Sequence, residues 1–487
     1  MVTTQSFVGR GAATSVAEAA PGVGEAERVG ERVNGDVVAG QGPTEAPPWR
    51  TMVRWVVLHP DRDAVLVIDG GALPSAELSS AVWLGDAPAL TGALAELGVD
   101  AVLLGCRDLR DDPRTRVQHL TMMALPRPGS VDAPPGTRWV EHEEVRDLVP
   151  AGVGEVRTGR PAWEARSWFP ATDAWLRDQL ARLGRPVIGR TEQQRSWELS
   201  SVLRAPTAAG PVWLKASAGS SLFAEEGGVM ALLADWFPEQ VPSPLAWDPA
   251  RRLLVLDELG PPLGHHAPIE VQEQVLVDFA RLQAVTAERL DGLWAVGLAD
   301  RGPDRLADQA AGWFSDLDAT LELPGVDPQT WLTAEESMVL RAALPRVRTL
   351  CRELAAGPLP LTLLHGDLHM NNVAAGPRRP VFFDWTDACV GHPFFDLITV
   401  AHGAIPLPGA SSNESRTRLR DAYLSAWTDY GSPEQLKEIW RAVEVVGPLH
   451  HAVSYRAIAA ACAAPVDQEM GPATAGWIRS VITALQT

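Results

Sequence analysis

The sequence predicts an α+β protein in which a strand-rich part precedes a helical one, and three observations carry that expectation. Short apolar runs bounded by turn residues recur between Val53 and Leu256. From Ile269 onward the apolar residues fall instead at helical spacing. At 487 residues with 46% hydrophobic side chains, the chain is long enough for two or three domains with sizeable cores.

Residues 1–47 are rich in Ala, Gly, Val and Glu, carry a single Phe and lack apolar periodicity, which predicts a disordered tail. Order is expected to begin near Pro47-Pro48-Trp49. Residues 48–150 read as an accessory α+β domain. In it Val53 to Leu58 and Ala64 to Ile68 flank Pro60-Asp61-Arg62-Asp63 and predict a hairpin. A helix over about 87–97, strands at Ala101 to Leu104 and His119 to Leu125, and a Pro-rich stretch from Pro126 to Pro135 follow. Residues 151–194 read as a Trp-rich connector with an amphipathic helix capped near Thr172 or Asp173.

Residues 195–260 read as a small β-rich lobe. Leu199 to Arg204 and Pro211 to Leu214 predict two strands joined by a turn at Thr207-Ala208-Ala209-Gly210, and Ser221 opens an apolar helical pattern through Leu233. Leu253 to Gly260 predicts the last strand of this lobe running into a hinge. Residues 261–487 read as a large helical lobe, with a helix from Ile269 to Ala287 and others at Ala422 to Trp427, Gln435 to Val446 and Leu449 to Ala461.

The chemistry concentrates in His365-Gly366-Asp367-Leu368-His369-Met370-Asn371-Asn372 and in Asp384, which lies twelve residues after the last Asn and ends the run Val381-Phe382-Phe383. Leu361 to Leu364 predicts a strand, so Asp367 falls on the loop leaving it. Asn372 can fold back across that loop and offer a neutral oxygen to Mg2+, a cation that prefers oxygen donors. Asp384 emerges at the end of a second strand. The turn signal Ala374-Ala375-Gly376-Pro377 predicts that the two segments form a hairpin with both carboxylates at one end. A base near an acceptor hydroxyl and oxygen ligands for metal on ATP phosphates are what phosphoryl transfer requires of a protein.

Over roughly residues 195–487 the chain resembles the aminoglycoside phosphotransferase-like kinases. The resemblance rests on HGDLHMNN and on FFDWTDACVGHPFFDL, residues 382–397. It implies the bilobal protein-kinase-like fold, a small β-rich lobe and a large helical one, here preceded by an extra α+β domain. It implies ATP and Mg2+ as cofactors, Asp367 as catalytic base, and Asn372 and Asp384 as metal ligands. Asp396 and His365 fall on positions that support the catalytic loop. A cation for the α and β phosphates is then required on a small-lobe strand, paired with a helix carboxylate. Only two lysines stand among the 42 basic residues, Lys215 and Lys437, and Lys215 closes the run Pro211-Val212-Trp213-Leu214. In so Arg-rich a chain it suggests a site that wants a compact point charge. The family's spacing selects Glu226 as its partner, with Glu225 as the alternative. The nucleotide loop lacks a GxGxxG pattern, leaving Ser200 and Ser201 as its weak candidates, and the hinge around Glu258 would meet adenine.

Residues 48–150 faintly resemble a Nudix-type domain through Leu94 to Val99 and Gly136 to Trp139. Only Glu96 stands in the segment where that family's metal-binding glutamates belong, so a binding or structural module is expected there. Four scattered cysteines, Cys106, Cys351, Cys389 and Cys462, predict neither a zinc site nor a disulfide framework. A net charge of −19 argues against nucleic acid as a partner. No run of 18 apolar residues predicts a membrane span and no secretory leader is evident, so a cytoplasmic protein is expected.

Residues 287–336 hold eleven acids against three arginines, an acidic wall that would favour a cationic acceptor such as an amino sugar or aminoglycoside; a solvated helix face explains the same run. The helices at Ala422 to Trp427, Gln435 to Val446 and Leu449 to Ala461 read as the acceptor side, where His450 and His451 sit in an apolar setting and could touch substrate, although a core role is the commoner outcome. The reading is thus a small-molecule kinase acting on a hydroxyl. The alternative is a kinase-like binding or regulatory protein in which the amino-terminal domain carries the function.

Overall fold

The structure is a computed structural model that describes residues 48–130, 132–150, 160–315, 331–401, 412–461 and 470–486. The expected tail over 1–47, Cys462 and positions 316–330 of the acidic run lie outside the described residues.

The amino-terminal domain comprises β1 (Arg50–Val57), β2 (Ala64–Ile68), β3 (Ser75–Leu78), α1 (Ala87–Glu96), β4 (Ala101–Asp112), β5 (Val117–Pro126) and β6 (Thr137–Glu141). Its main sheet has the order β3-β1-β5-β4, with β1 parallel to β5, while β2 pairs with β6. The expected β1–β2 hairpin does not form. The turn does reverse the chain, with His59 Nδ1 accepting from the N–H groups of Asp61 and Arg62 at 3.1 Å each, but the strands share only the bridge Leu58 to Val65. Val65, Leu66 and Val67 are all buried and share apolar clusters with β1 residues such as Val56 and Trp55, but the backbone of β2 pairs with β6 instead. Glu96 is exposed at the end of α1.

The connector helix α2 (Trp168–Arg182) starts at Trp168, earlier than the expected cap at Thr172 or Asp173. Pro170 fits its first turn, where backbone N–H groups have no helical partner. Thr172 is buried inside the helix, and Asp173 pairs with Arg177 at 2.8 Å.

The small lobe is a sheet of order β10-β11-β9-β8-β7, built from β7 (Glu192–Ser196), β8 (Ser200–Ala205), β9 (Val212–Ser217), β10 (Ala246–Asp248) and β11 (Leu253–Asp257). Helix α3 (Glu226–Trp236) packs on it. Strand β7 has no apolar signal, because its sequence EQQRS faces the amino-terminal domain through hydrogen bonds. The Gln193 amide accepts from Leu103 N–H at 2.8 Å and donates to Leu103 C=O at 3.0 Å. Arg190 grips Asp100 with two contacts of 2.8 Å, and Trp163 Nε1–H donates to Trp197 C=O at 2.9 Å. One apolar cluster runs from Leu104, Met123 and Trp163 through Phe169 and Leu176 to Leu203, Leu214 and Val255, so the first domain and the small lobe share a core. Gln193→Leu should strip a buried donor and acceptor at Leu103 of their partners and cost about 2–4 kcal/mol. A lower denaturant midpoint is the expected result; an unchanged midpoint would refute the role given to this amide.

The large lobe contains α4 (Ile269–Thr286), α5 (Leu290–Ala295), β12 (Ala299–Asp300), α6 (Pro303–Ser315), α7 (Ala334–Ala355), β13 (Thr362–Leu364), β14 (Val373–Ala375), β15 (Pro380–Phe382), β16 (Cys389–Gly391), α8 (Ile398–Ala401), α9 (Ser412–Ser425), α10 (Pro433–Ala461) and α11 (Met470–Gln486). The strand before Asp367, β13, pairs with β16 rather than with the segment before Asp384. The hairpin is β14–β15, and Asp367 and Asp384 flank its open end. The two helices expected at Gln435–Val446 and Leu449–Ala461 are one. Pro448 lies inside α10, whose stretch from Val445 to Ser454 is entirely buried, so packing holds the helix together across the missing N–H. Among the described residues no helix is long and apolar enough to cross a membrane.

Candidate active site

A cavity of about 290 Å³ opens between the lobes, and the motif residues meet there. From the small lobe comes Lys215, central in β9 and nearly buried. Its Nζ contacts Glu226 Oε2 at 2.8 Å, Thr386 Oγ1 at 2.6 Å, and Asp384 Oδ1. Burial opposes its charge, but Asp384 and Glu226 outweigh burial and raise its pKa. Glu226, not Glu225, is the partner. Glu225 caps α3 by accepting from the N–H groups of Gly227 and Gly228 at 3.2 and 2.7 Å, which turns the next side chain toward β9. Gly227 has to be glycine, since a Cβ there would lie 2.6 Å from the Trp247 ring.

The catalytic loop is held from below. Asp396 accepts from the N–H groups of His365 and Gly366 at 2.8 Å each, and Gln283 Nε2–H donates to it at 3.1 Å. Its burial pushes the Asp396 carboxyl up to about 7. His365 Nε2 lies 3.0 Å from Phe383 C=O, tying this loop to the strand before Asp384. At Gly366 φ is +81°, and a Cβ would meet Asp387 O at 2.2 Å, so no other residue fits the turn. Asn372 Nδ2–H donates to Asp367 O at 2.9 Å and Oδ2 at 3.2 Å, folding back across the loop.

The Asp367 side chain is half exposed at the cavity. Its enclosure works against ionisation, but His369, 3.3 Å away, with His365 and His451 behind it, wins and holds the carboxyl below the usual range. Asp367 is therefore a carboxylate at any physiological pH. Asp384 sits in the left-handed region at φ 66° and ψ 60°, a conformation Asp tolerates better than most residues. Although burial raises it, Lys215 lowers the Asp384 pKa overall. Asp387, which the motif reading passed over, also lines the cavity. Burial, then the charges of Asp367 and Asp384, push it up to about 7. With His369→Gln the acid limb of the pH–rate profile should move upward, because the group that keeps Asp367 ionised is gone. A superimposable limb would remove His369 from that role.

The other candidates divide. Ser200 lines the cavity, its hydroxyl accepting from Trp197 Nε1–H at 2.9 Å. Ser201 is not in the lining; its hydroxyl donates to Arg195 C=O at 3.3 Å. Glu258 is also outside it, with Arg204 3.5 Å away. No described residue of the acidic stretch 287–336 lines the cavity. Its far wall is Thr399, His451, Ser454, Tyr455, Ile458 and Trp477, with His451 stacked on Trp477 at 4.7 Å. His450 is core, packed on Phe395 at 4.9 Å, and its carbonyl accepts from Arg301 at 2.7 Å. The helix expected at Leu449–Ala461 supplies His451, Ser454, Tyr455 and Ile458 to this wall, whereas sequence reasoning missed Thr399 and Trp477, and also Trp83, Arg195 and Trp197, which line the cavity too.

A small β-sheet lobe with a buried Lys–Glu pair, facing a helical lobe that presents Asp367, Asn372 and Asp384, defines a protein-kinase-like phosphotransferase. Residues 221–439 match the model of the phosphotransferase enzyme family, and the protein is a phosphotransferase. No curated protein sequence matches the chain. Among solved structures it is similar to a choline/ethanolamine kinase family protein from Mesorhizobium loti, with 20% identity, 58% of this chain and 85% of that one covered and a TM-score of 0.37. It is similar to a macrolide 2'-phosphotransferase type I, with 18% identity, 60% and 98% covered and a TM-score of 0.39. A Plasmodium vivax ethanolamine kinase matches at 10% identity, with 61% and 81% covered and a TM-score of 0.43. These matches lend no support to the faint Nudix-type resemblance of residues 48–150.

Proposed function

We propose that the protein transfers the γ-phosphoryl group of ATP to a hydroxyl of a small molecule, with Asp367 as base, Lys215 on the α and β phosphates, and Asn372 and Asp384 as ligands of Mg2+. The observation that carries this reading is the convergence of Lys215, Asp367, Asn372 and Asp384 around one cavity, with Glu226 paired to Lys215 behind it. The donor set fits magnesium. One carboxylate and one amide oxygen are hard ligands that leave room for phosphate oxygens and water. Burial, and then the charges of Asp367 and Asp384, raise the Asp387 pKa, and a divalent cation beside these three carboxylates would relieve their mutual repulsion.

When bound, magnesium would neutralise charge on the phosphates. The chain's residues do the rest. Asp367 takes the hydroxyl proton as the new O–P bond forms and the bond between the γ phosphorus and the β,γ-bridging oxygen breaks, releasing ADP. Glu226 keeps Lys215 aimed at the phosphates, and Asp396 fixes the loop that carries Asp367. The acceptor lies against Tyr455, Trp477 and His451. Aromatic faces of this kind hold either an apolar skeleton or an amine, so an amino sugar or amino alcohol fits the class although no described residue of 287–336 lines the cavity.

Acceptor-dependent ADP formation from Mg-ATP, measured over a panel of aminoglycosides, amino sugars, amino alcohols and neutral sugars, tests this. Turnover with one class, lost in Asp367→Asn, is expected. ATP binding with no turnover on any acceptor would favour a binding or regulatory protein.

A further inference from the structure

A nucleotide site needs something over its phosphates. Protein kinases use the backbone N–H groups of a Gly-rich loop. Here the turn between β7 and β8 is Trp197-Glu198-Leu199, too bulky for close backbone approach, and the last residues of β7 bring a cation instead. Arg195 lines the cavity, with Asp384 as the charge its guanidinium faces.

Its setting comes from the amino-terminal domain. The loop entering α1 docks on β7 through the bridge Asp86 to Arg195 and a hydrogen bond from Ser196 N–H to Gly85 C=O at 3.2 Å. This brings Trp83 beneath Arg195, whose guanidinium lies over its ring at 5.3 Å. Trp197 packs edge-on against Trp83, also at 5.3 Å. The six-membered ring of Trp83 folds over Gly85, where a Cβ would fall 2.5 Å from it, so the glycine makes the placement possible. The Trp83 Nε1–H is buried and has no hydrogen-bond partner among the described residues, and Trp83 itself lines the cavity. A guanidinium seated over an indole at this cation–π distance is held at the cavity, where its fork is suited to two-point contact with phosphate.

We propose that Arg195 is a phosphate-binding residue of the nucleotide site and that Trp83, carried in by the amino-terminal domain, is its positioning residue. The domain thereby becomes part of the active site, in the place of a Gly-rich loop. The proposal rests on the ATP-dependent reading above.

Calorimetric titration of Mg-ATP, Mg-ADP and adenosine into wild type, Arg195→Met, Trp83→Leu and the double variant tests it. Arg195→Met should weaken both phosphorylated ligands about tenfold or more and leave adenosine unchanged, which also certifies the fold. Trp83→Leu should weaken them in the same sense, Trp83→Phe much less, and the double variant should be no worse than Arg195→Met because Trp83 acts through Arg195. Wild-type ATP binding that Arg195→Met leaves intact would overturn the role of Arg195, and additive losses in the double variant would overturn that of Trp83. Failure of the wild type to bind ATP would instead overturn the functional reading on which both rest.

Discussion

Replacing Asp367 with Asn is expected to lower kcat by about 10²–10⁴-fold while leaving the KM for ATP nearly unchanged. The substitution keeps the shape of the side chain and removes its ability to take a proton. It leaves the loop in place, because that loop is fixed from behind by the two 2.8 Å contacts of Asp396 with the His365 and Gly366 N–H groups. Asn372 also keeps its 2.9 Å contact with the main-chain oxygen at 367. The nucleotide end, with Lys215 and Glu226, is not touched. A kcat within a few-fold of wild type at saturating acceptor would mean that Asp367 only shapes the loop, and the base would have to be sought elsewhere in the cavity lining.

The residues legible in the sequence are those whose chemistry is local. Asp367, Asn372 and Asp384 announce themselves because a loop after a strand and a carboxylate at a strand end already place oxygen ligands. Lys215 stands out as one of two lysines in an Arg-rich chain. The choice between Glu225 and Glu226 turned on a cap, and the structure resolves it through the two glycine N–H groups that Glu225 satisfies.

What could not be read depends on long-range pairing. Strand β7 has no apolar alternation because Gln193 within it, like Arg190 just before it, bonds to the amino-terminal domain. The β1–β2 hairpin failed because turn chemistry fixes a reversal of the chain but not which strand a doubly buried segment pairs with. Pro448 looked like a helix end and is overridden by packing on both sides. Trp83 and Arg195 lie 112 positions apart in sequence, and only the docking of the α1 entry loop on β7 brings them together. One signal was available: Gly85-Asp86 ahead of Ala87-Pro88 is a helix start, and Asp86 does cap α1 by accepting from Ala89 N–H at 3.1 Å. It marks where that loop ends, though not what it touches.

Lys215→Met should be the other large effect, and it should appear in stability as well as in rate. The Lys215 and Glu226 side chains are 6% and 4% exposed, so removing the ammonium leaves Glu226 as a buried carboxylate facing the charge of Asp384. Breaking a buried pair in this way costs about 3–5 kcal/mol. Part of that loss is recoverable by protonation. Burial already pushes the Glu226 pKa up, and without the Lys215 charge that opposes this the group should bind a proton more readily still. A carboxyl whose folded pKa lies above its unfolded value favours the folded state most below the unfolded pKa, and that advantage disappears as pH rises through the folded pKa. The deficit of the variant should therefore grow as pH rises above the unfolded carboxyl value of about 4, because wild type keeps the ammonium beside the carboxylate. For catalysis, losing the ammonium proposed for the α and β phosphates should lower kcat/KM for ATP by about 10²–10³-fold. Lys215→Arg should not restore it, because a planar fork cannot occupy the point between Thr386 Oγ1 at 2.6 Å and Glu226 Oε2 at 2.8 Å without displacing α3. Equal denaturant midpoints for Lys215→Met and wild type across this pH range would show that Glu226 is neutral beside Lys215 from the start, and the ion pair would have to be redrawn as a single hydrogen bond.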